Sequence, residues 1–410
     1  MFMLGLRLKT IKTALLCLFL PFALMAEPSR SNDHKQVHAD HANGGYEASL
    51  LSVLDAIEAQ DLVTALRLVD QHLEKYPKSR EGHFMRADIL QAQSAQLTQI
   101  GNHELIKSDR LKGFKHQMQN RIKHSGIDAE KKHGYFPASL IAIGQHEHII
   151  VADLTDGRLY LYRNNDGQPE LLRDYYMSIG SQGYGKEVEG DNRTPVGVYE
   201  INRYIEGKAL PDLYGKGAFP VNYPNRYDRY LKRTGYGIWL HGTPSTTYAR
   251  SPWSSEGCFV LSNDDLLDIG QYISVKDRTP VILTDSIDWL TAEQLQTNRE
   301  MYFNVIEAWK RDWENLDVEA YLNHYSSNDF NFGAGDFKSW AQRKRSINDN
   351  KTFIQLDLSF DSLFVYPGRE DMFVVKYRQR YLSNNYAGET DKEQYWKRNA
   401  EGKWQIIYEG

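Results

Sequence analysis

The sequence predicts a multidomain chain: an N-terminal α-helical segment, a mostly β central domain and a C-terminal α+β cone. Two observations carry this. The apolar period switches from helical spacing to strand alternation near Tyr135, and it switches again to one long amphipathic helix followed by strands near Thr291. The chain has 410 residues, 41% hydrophobic and 25% charged, which is ordinary globular composition with length for two or three domains. Lys and Arg total 49 against 54 Asp and Glu, a net charge of -5. With a pI near 6.2 and no basic block, nothing points to a nucleic-acid partner.

Residues 1–26 read as a signal peptide. Arg7, Lys9 and Lys12 form a basic start, Thr13 to Met25 is almost wholly apolar, and Ala26 offers a small residue at the cut. That apolar run is too short to span a bilayer comfortably, so no stable membrane span is expected after cleavage. The expected location is the periplasm. Of the two cysteines, Cys17 lies in the leader, so the exported chain keeps only Cys258 and has no internal disulfide. Residues 27–45 read as a flexible linker, and its His34, His38 and His41 as solvated chain rather than metal ligands.

Residues 46–134 form the helical segment. Leu50, Leu51, Leu54 and Ile57 share one face, as do Leu62, Leu66, Val69 and Leu73, and Pro77 stops the second helix. Gly82, Ala87, Leu90 and Ala92 open a third. The pairing resembles a tetratricopeptide unit, but one unit is too little for a solenoid. Such a hairpin packs on its neighbour or on a second copy of the chain, a homodimer contact.

Residues 135–286 form the β block. Ile141–Ala152, Arg158–Tyr162, Tyr175–Ile179, Gly197–Tyr199, Gly237–His241, Gly257–Leu261 and Pro280–Thr284 read as strands, with Asp156-Gly157 as a hairpin turn. Ser262 caps a helix with Asp265 at its third position. From residue 291 to 410 come a helix over Thr291–Trp313, a short one over Val318–Tyr325, and strands at Phe353–Leu358, Ser362–Pro367, Met372–Leu382, Glu393–Arg398 and Lys403–Glu409. This block is expected to fold on its own. Trp309, Trp313, Tyr321 and Tyr325 have helical spacing and read as core.

Cys258 is the candidate nucleophile, since a thiol becomes reactive near neutral pH when a base takes its proton. His241 lies seventeen positions upstream, near enough for two adjacent strands to bring the pair together. The Gly257 and Cys258 backbone N–H groups are candidate oxyanion donors. A buried, inert cysteine is the alternative. Arg250, Lys232 and Arg233 are candidate holders of substrate carboxylates. Trp253 and Tyr236 are candidate groove walls, and Ser255 a candidate substrate contact. His146 and His148 alternate on a strand with no further ligand run, so no metal is assigned, and no cofactor either.

His241-Gly242, a long loop, and then Ser255-x-Gly257-Cys258 resemble the YkuD-type L,D-transpeptidase family. Thr194-Pro195-x-Gly197-x-Tyr199 matches its second signature. The resemblance implies Cys258 as nucleophile, His241 as general base and the Gly242 carbonyl as the group orienting the imidazole. It implies peptidoglycan stem peptides as substrate, with release of a terminal D-alanine. Two positions depart from the family pattern: Glu256 stands where histidine is usual, and Val260 where arginine is usual. The three-part layout, with a nuclear-transport-factor-like cone at the end, resembles the cell-shape L,D-carboxypeptidases of helical bacteria. The Ser-x-Gly-Cys-Phe run resembles the YafK-like branch, which includes an enzyme that cuts a protein from peptidoglycan. Transpeptidation stands narrowly ahead of hydrolysis, and a non-catalytic wall-binding scaffold is the third reading.

Overall fold

The computed structural model describes residues 45–94, 115, 117–121, 134–330 and 336–410. The leader, the linker with its three histidines, and much of 95–133 lie outside the described residues.

Three helices open the described chain: α1 (Tyr46–Glu58), α2 (Leu62–Lys75) and α3 (Arg80–Ser94). Asp61 caps α2 by accepting the Thr64 N–H at 3.0 Å. The buried stripe of α1 runs through Leu50, Val53 and Leu54, near the expected face. In α2 it is rotated to Ala65, Val69 and His72. The rotation follows from Gly82: a Cβ there would lie 2.7 Å from the His72 ring, so only glycine lets α3 approach that close.

The helices do not float free. Their core takes in Tyr176 and Ala249 of the β block. Beneath it, the fully buried Arg121 guanidinium binds both oxygens of Glu47 at 2.8–3.0 Å. Arg158 reaches Asp174 at 2.8 Å and the same Glu47 at 3.6 Å.

The β block is a sandwich. One sheet has the order β5 (Gln168–Tyr176), β4 (Arg158–Asn165), β3 (His148–Asp153), β13 (Pro280–Thr284), β7 (Gly197–Glu200), with β3 and β13 parallel and the other pairs antiparallel. The second has the order β12 (Phe259–Val260), β10 (Trp239–His241), β9 (Gly217–Pro220), β8 (Ile205–Glu206). A short parallel pair, β6 (Ile179–Gly180) with β11 (Trp253–Ser255), closes one edge. Ile150, Leu161, Val281 and Leu283 face Leu240, Phe259, Leu266 and Ile269 across the core. The Ser262-capped helix spans Asn263–Gly270, with the Asp265 N–H 3.1 Å from Ser262 Oγ.

The first sheet is buried on both faces, which is why β3 and β13 read as unbroken apolar runs. Its second face, with Ile149, Val151, Tyr160, Tyr162 and Ile282, packs on Phe364, Tyr366, Met372, Val374, Tyr395 and Ile407 of the C-terminal sheet.

That C-terminal sheet has the order β18 (Trp404–Glu409), β17 (Tyr386–Arg398), β16 (Met372–Ser383), β15 (Ile354–Val365), β2 (Leu140–Ala142). The helix over Ala292–Glu314, capped by Thr291 with Gln294 in a reciprocal capping box, fills its other face through Tyr302, Ile306 and Trp309. Several expectations change here. Residues 135–142 leave the β block: β1 (Tyr135–Pro137) pairs with β14 (Trp289–Thr291), and β2 edges the C-terminal sheet. The two strands expected at 353–367 are one strand with a bulge at Phe360–Ser362. A helix over Phe337–Asn348, not foreseen, joins the core through Trp340. The C-terminal block closes a core between its sheet and helices and shares the sheet's other face with the sandwich.

Candidate active site

Strand alternation builds the site. Leu240 and Phe259 are register partners on the parallel strands β10 and β12, and both point into the core. Successive side chains alternate faces. Trp239, His241, Val260 and the adjoining Cys258 therefore share the opposite face, with histidine and cysteine at neighbouring diagonal positions.

His241 is 2% exposed. Its Nδ1 lies 2.7 Å from the Gly242 carbonyl oxygen, an acceptor, so Nδ1 carries the proton and Nε2 keeps its lone pair. The Tyr214 ring meets the imidazole edge-on at 5.0 Å. Burial, helped by the positive Arg250, lowers the imidazole pKa to about 4 against the opposing pull of Gly242. Gly242 is held where it is by Asn263, whose Nδ2 donates to the Thr243 carbonyl at 2.8 Å. A Cβ on Gly242 would stand 2.2 Å from Asn263 Oδ1, so no other residue fits.

The half-buried Cys258 Sγ lies 3.3 Å from the Gly237 carbonyl oxygen. Burial is the main reason its thiol is pushed up to about 11; Glu256 adds to this, while the Trp239 N–H, Arg250 and Lys186 pull it down. The resting pair is thus a neutral thiol and a neutral imidazole.

The two sequence signatures meet through one hydroxyl. Thr194 Oγ1, fully buried, accepts the Gly180 N–H at 2.9 Å and donates to the Gly257 carbonyl at 3.0 Å. Gly257 sits at φ +123°, and a Cβ there would lie 2.8 Å from the Arg193 carbonyl oxygen. The Thr-Pro motif therefore shapes the turn that delivers the cysteine.

Several expected contacts take other roles. Gly257 N–H donates to Ser255 Oγ at 3.1 Å. Ser255 Oγ in turn donates to the Cys258 carbonyl at 2.6 Å, so the buried Ser255 shapes the loop. Arg233 is tied to the buried Asp228 at 2.9 Å, and Lys232 lies exposed in the turn after the helix over Arg226–Tyr230. Trp253 and Tyr236 are exposed at 49% and 77%. Arg250 donates to the Ser254 carbonyl and acts on both Cys258 and His241. Lys186, Tyr214 and Asn263 are not singled out in the sequence, because none of them belongs to either motif or carries a spacing signal of its own.

Among the described residues, no group of three or more His, Cys, Asp or Glu is placed to hold a metal ion; His148 packs edge-on to Tyr272. No described helix is long and apolar enough to cross a membrane. In the C-terminal block Trp309, Tyr321 and Tyr325 are core as expected, with Trp313 packed against them; Trp313 and Tyr321 also edge a cavity of about 470 Å³ together with Lys344, Tyr381, Lys392 and Glu409.

Residues 147–283 match the family model of the L,D-transpeptidase catalytic domain, YkuD, and residues 301–410 match that of the Cds6 C-terminal NTF2-like domain. No curated protein matches the chain. Among solved structures, Bd1075 of Bdellovibrio bacteriovorus is 28% identical over 67% of this chain and 97% of its own, with a TM-score of 0.59. The helical cell shape determining protein Pgp2 of Campylobacter jejuni is 28% identical over 67% of this chain and 95% of its own, at 0.56; a point mutant of Pgp2 is 27% identical over 72% and 98%, at 0.57. The sandwich is accordingly a catalytic domain of the YkuD L,D-transpeptidase family, joined to a C-terminal NTF2-like domain.

Proposed function

We propose that this chain is an exported cysteine peptidase of peptidoglycan stem peptides, an L,D-carboxypeptidase that trims tetrapeptide to tripeptide and so acts on cell shape. The carrying observation is the His241 imidazole, with Nδ1–H fixed on the Gly242 carbonyl and Nε2 open on the strand face that also bears Cys258.

The reaction follows from that arrangement. Cys258 Sγ attacks the carbonyl carbon at the L-centre of the diamino acid while Nε2 of His241 takes the thiol proton. The oxyanion is received by the Cys258 N–H, since Gly257 N–H is engaged by Ser255. The carbon–nitrogen bond breaks, His241 returns the proton to the amine, and D-alanine leaves. Water then opens the thioester, with His241 again taking a proton, and the tripeptide acid departs.

Hydrolysis is preferred over transpeptidation because the likeness to the cell shape determining Pgp2 extends through the whole three-part layout, spanning 95% of that chain. Transpeptidation is the second reading, favoured by the catalytic-domain family itself. The two differ in whether a second stem's amine is positioned over the acyl-enzyme, where effective concentration lets it outcompete water. Mass spectrometry of tetrapeptide muropeptides incubated with the mature protein tests this. Tripeptides and free D-alanine are expected; cross-linked dimers would give the transpeptidase, and unchanged muropeptides a scaffold.

A further inference from the structure

Val260 leaves the thiol without the arginine that the family pattern carries two positions after the cysteine, and the site still contains a cation. We infer that the N-terminal helical segment holds the loop of Arg250 against the strand that leads into Cys258, and that Arg250 so placed is the cation that, beside the Trp239 N–H, favours the Cys258 thiolate. This rests on Cys258 being the nucleophile.

The positioning is built from both sides. The Arg250 guanidinium donates to the carbonyl of Ser254 on β11, the strand that leads into Glu256-Gly257-Cys258. The Arg250 backbone carbonyl accepts three hydrogen bonds: from Gln117 Nε2 at 2.6 Å, the Tyr176 hydroxyl at 2.9 Å and Ser178 Oγ at 3.0 Å. Gln117 belongs to the helical segment. The two preceding residues are also anchored there. Ala249 is 5% exposed within the helical core. The Tyr248 ring stacks on Tyr46 at 5.1 Å and 16°, and meets Tyr76 edge-on at 5.0 Å. A loop that would otherwise wander is thus pinned by three helical-segment side chains.

The charges around the thiol single out Arg250. Glu256 opposes a thiolate from the cysteine's own turn. Lys186, from the loop after β6, is neutralised by Asp191 at 2.7 Å. Tyr214 and His241 face the thiol as neutral groups. Arg250 forms no ion pair among the described residues; its guanidinium is held on the Ser254 carbonyl, and both Cys258 and Glu256 act on its charge. Its pinning explains how a long, flexible side chain is preorganised at a reacting atom.

The test is the rate of iodoacetamide labelling at pH 9, followed on the Cys258 peptide by mass spectrometry, so that Cys17 does not interfere. No substrate is needed, so the result is independent of muropeptide turnover. Arg250→Met should cut the thiolate fraction and slow labelling about tenfold, while Arg250→Lys keeps most of the wild-type rate. Gln117→Leu and Tyr248→Leu, with Arg250 intact, should slow labelling in the same direction. Should Arg250→Met fail to fold, Arg250→Gln, which keeps a donor for Ser254, takes its place. An unchanged rate in the Arg250 variants overturns the thiolate role; unchanged rates in Gln117→Leu and Tyr248→Leu overturn the role of the helical segment.

Discussion

Cys258 and His241 are a neutral pair at rest, and that fixes how activity should depend on pH. The imidazole pKa is lowered to about 4 and the thiol is pushed up to about 11. Muropeptide turnover should therefore hold steady across neutral pH and fall on the acid side as His241 takes a proton and stops being a base. A steep loss centred near pH 6.5 in the kcat/KM profile would contradict this. Cys258→Ala should abolish turnover while far-ultraviolet circular dichroism stays native. His241→Ala should cost about a thousandfold or more and remove the acid limb. Thr194→Val tests the hydroxyl between the two motifs. It leaves the Gly180 N–H and the Gly257 carbonyl without their buried partner, a cost of about 1–3 kcal/mol. It should also lower kcat more than it raises KM, because the cysteine turn loosens. These residues are legible in the sequence because motif spacing survives in one dimension. Ser255 and Gly257 look like substrate and oxyanion contacts in the sequence, and in the fold they bond to each other and to the Cys258 carbonyl. A hydroxyl two residues away can satisfy a backbone N–H, and spacing does not show which way it turns.

At the scale of elements, the helical segment is fastened to the sandwich by a buried ion network. Arg121 has no exposed side-chain surface and depends on Glu47, which also serves Arg158. Glu47→Ala should strand the buried Arg121, leave Arg158 with Asp174 alone, and destabilise the protein by about 3–5 kcal/mol, read as a lower urea midpoint. A change within about 0.5 kcal/mol would mean that water reaches the cluster. His72 bridges Ser49 Oγ and Ser79 Oγ at 2.6 and 2.8 Å, joining α1 and α2 to the start of α3. Burial lowers its pKa to about 4, as it does for His241. In both, the unfolded chain binds a proton more readily than the folded one. Stability is thus fully present above about pH 6.5 and declines as pH falls toward 4, by about 1–3 kcal/mol for each histidine. Urea midpoints measured from pH 8 to pH 4 should fall over that window, and less so in His72→Gln.

For the whole molecule, the first sandwich sheet is covered on one side by its own partner sheet and on the other by the C-terminal sheet. Lys376, placed between them, pairs with Glu200 of the sandwich and with Glu393 of its own sheet at 3.5 Å. Residues 140–142 also supply that sheet's fifth strand. The mature protein is expected to unfold in one thermal transition. Residues 291–410 alone would lose β2 and expose Tyr366, Met372, Val374, Tyr395 and Ile407, and are expected to aggregate or melt without cooperativity. A sharp, reversible transition in that fragment would restore the simpler picture of an autonomous domain.

What the sequence determined by itself was local or periodic. The cap at Ser262 and the switch from helical to alternating period name their elements within a few residues, and the two motifs name the candidate nucleophile and its candidate base. Each of these depends on neighbours a few positions away or on residue chemistry that no fold alters. Only the tertiary structure decided which sheet receives residues 135–142, because an edge strand of three residues carries no address. It alone brought Gln117, Tyr46 and Tyr76 to the loop of Tyr248 and Arg250, 8 positions or more before the cysteine. Contacts across such separations are set by how layers pack, and packing leaves no period in the chain to read.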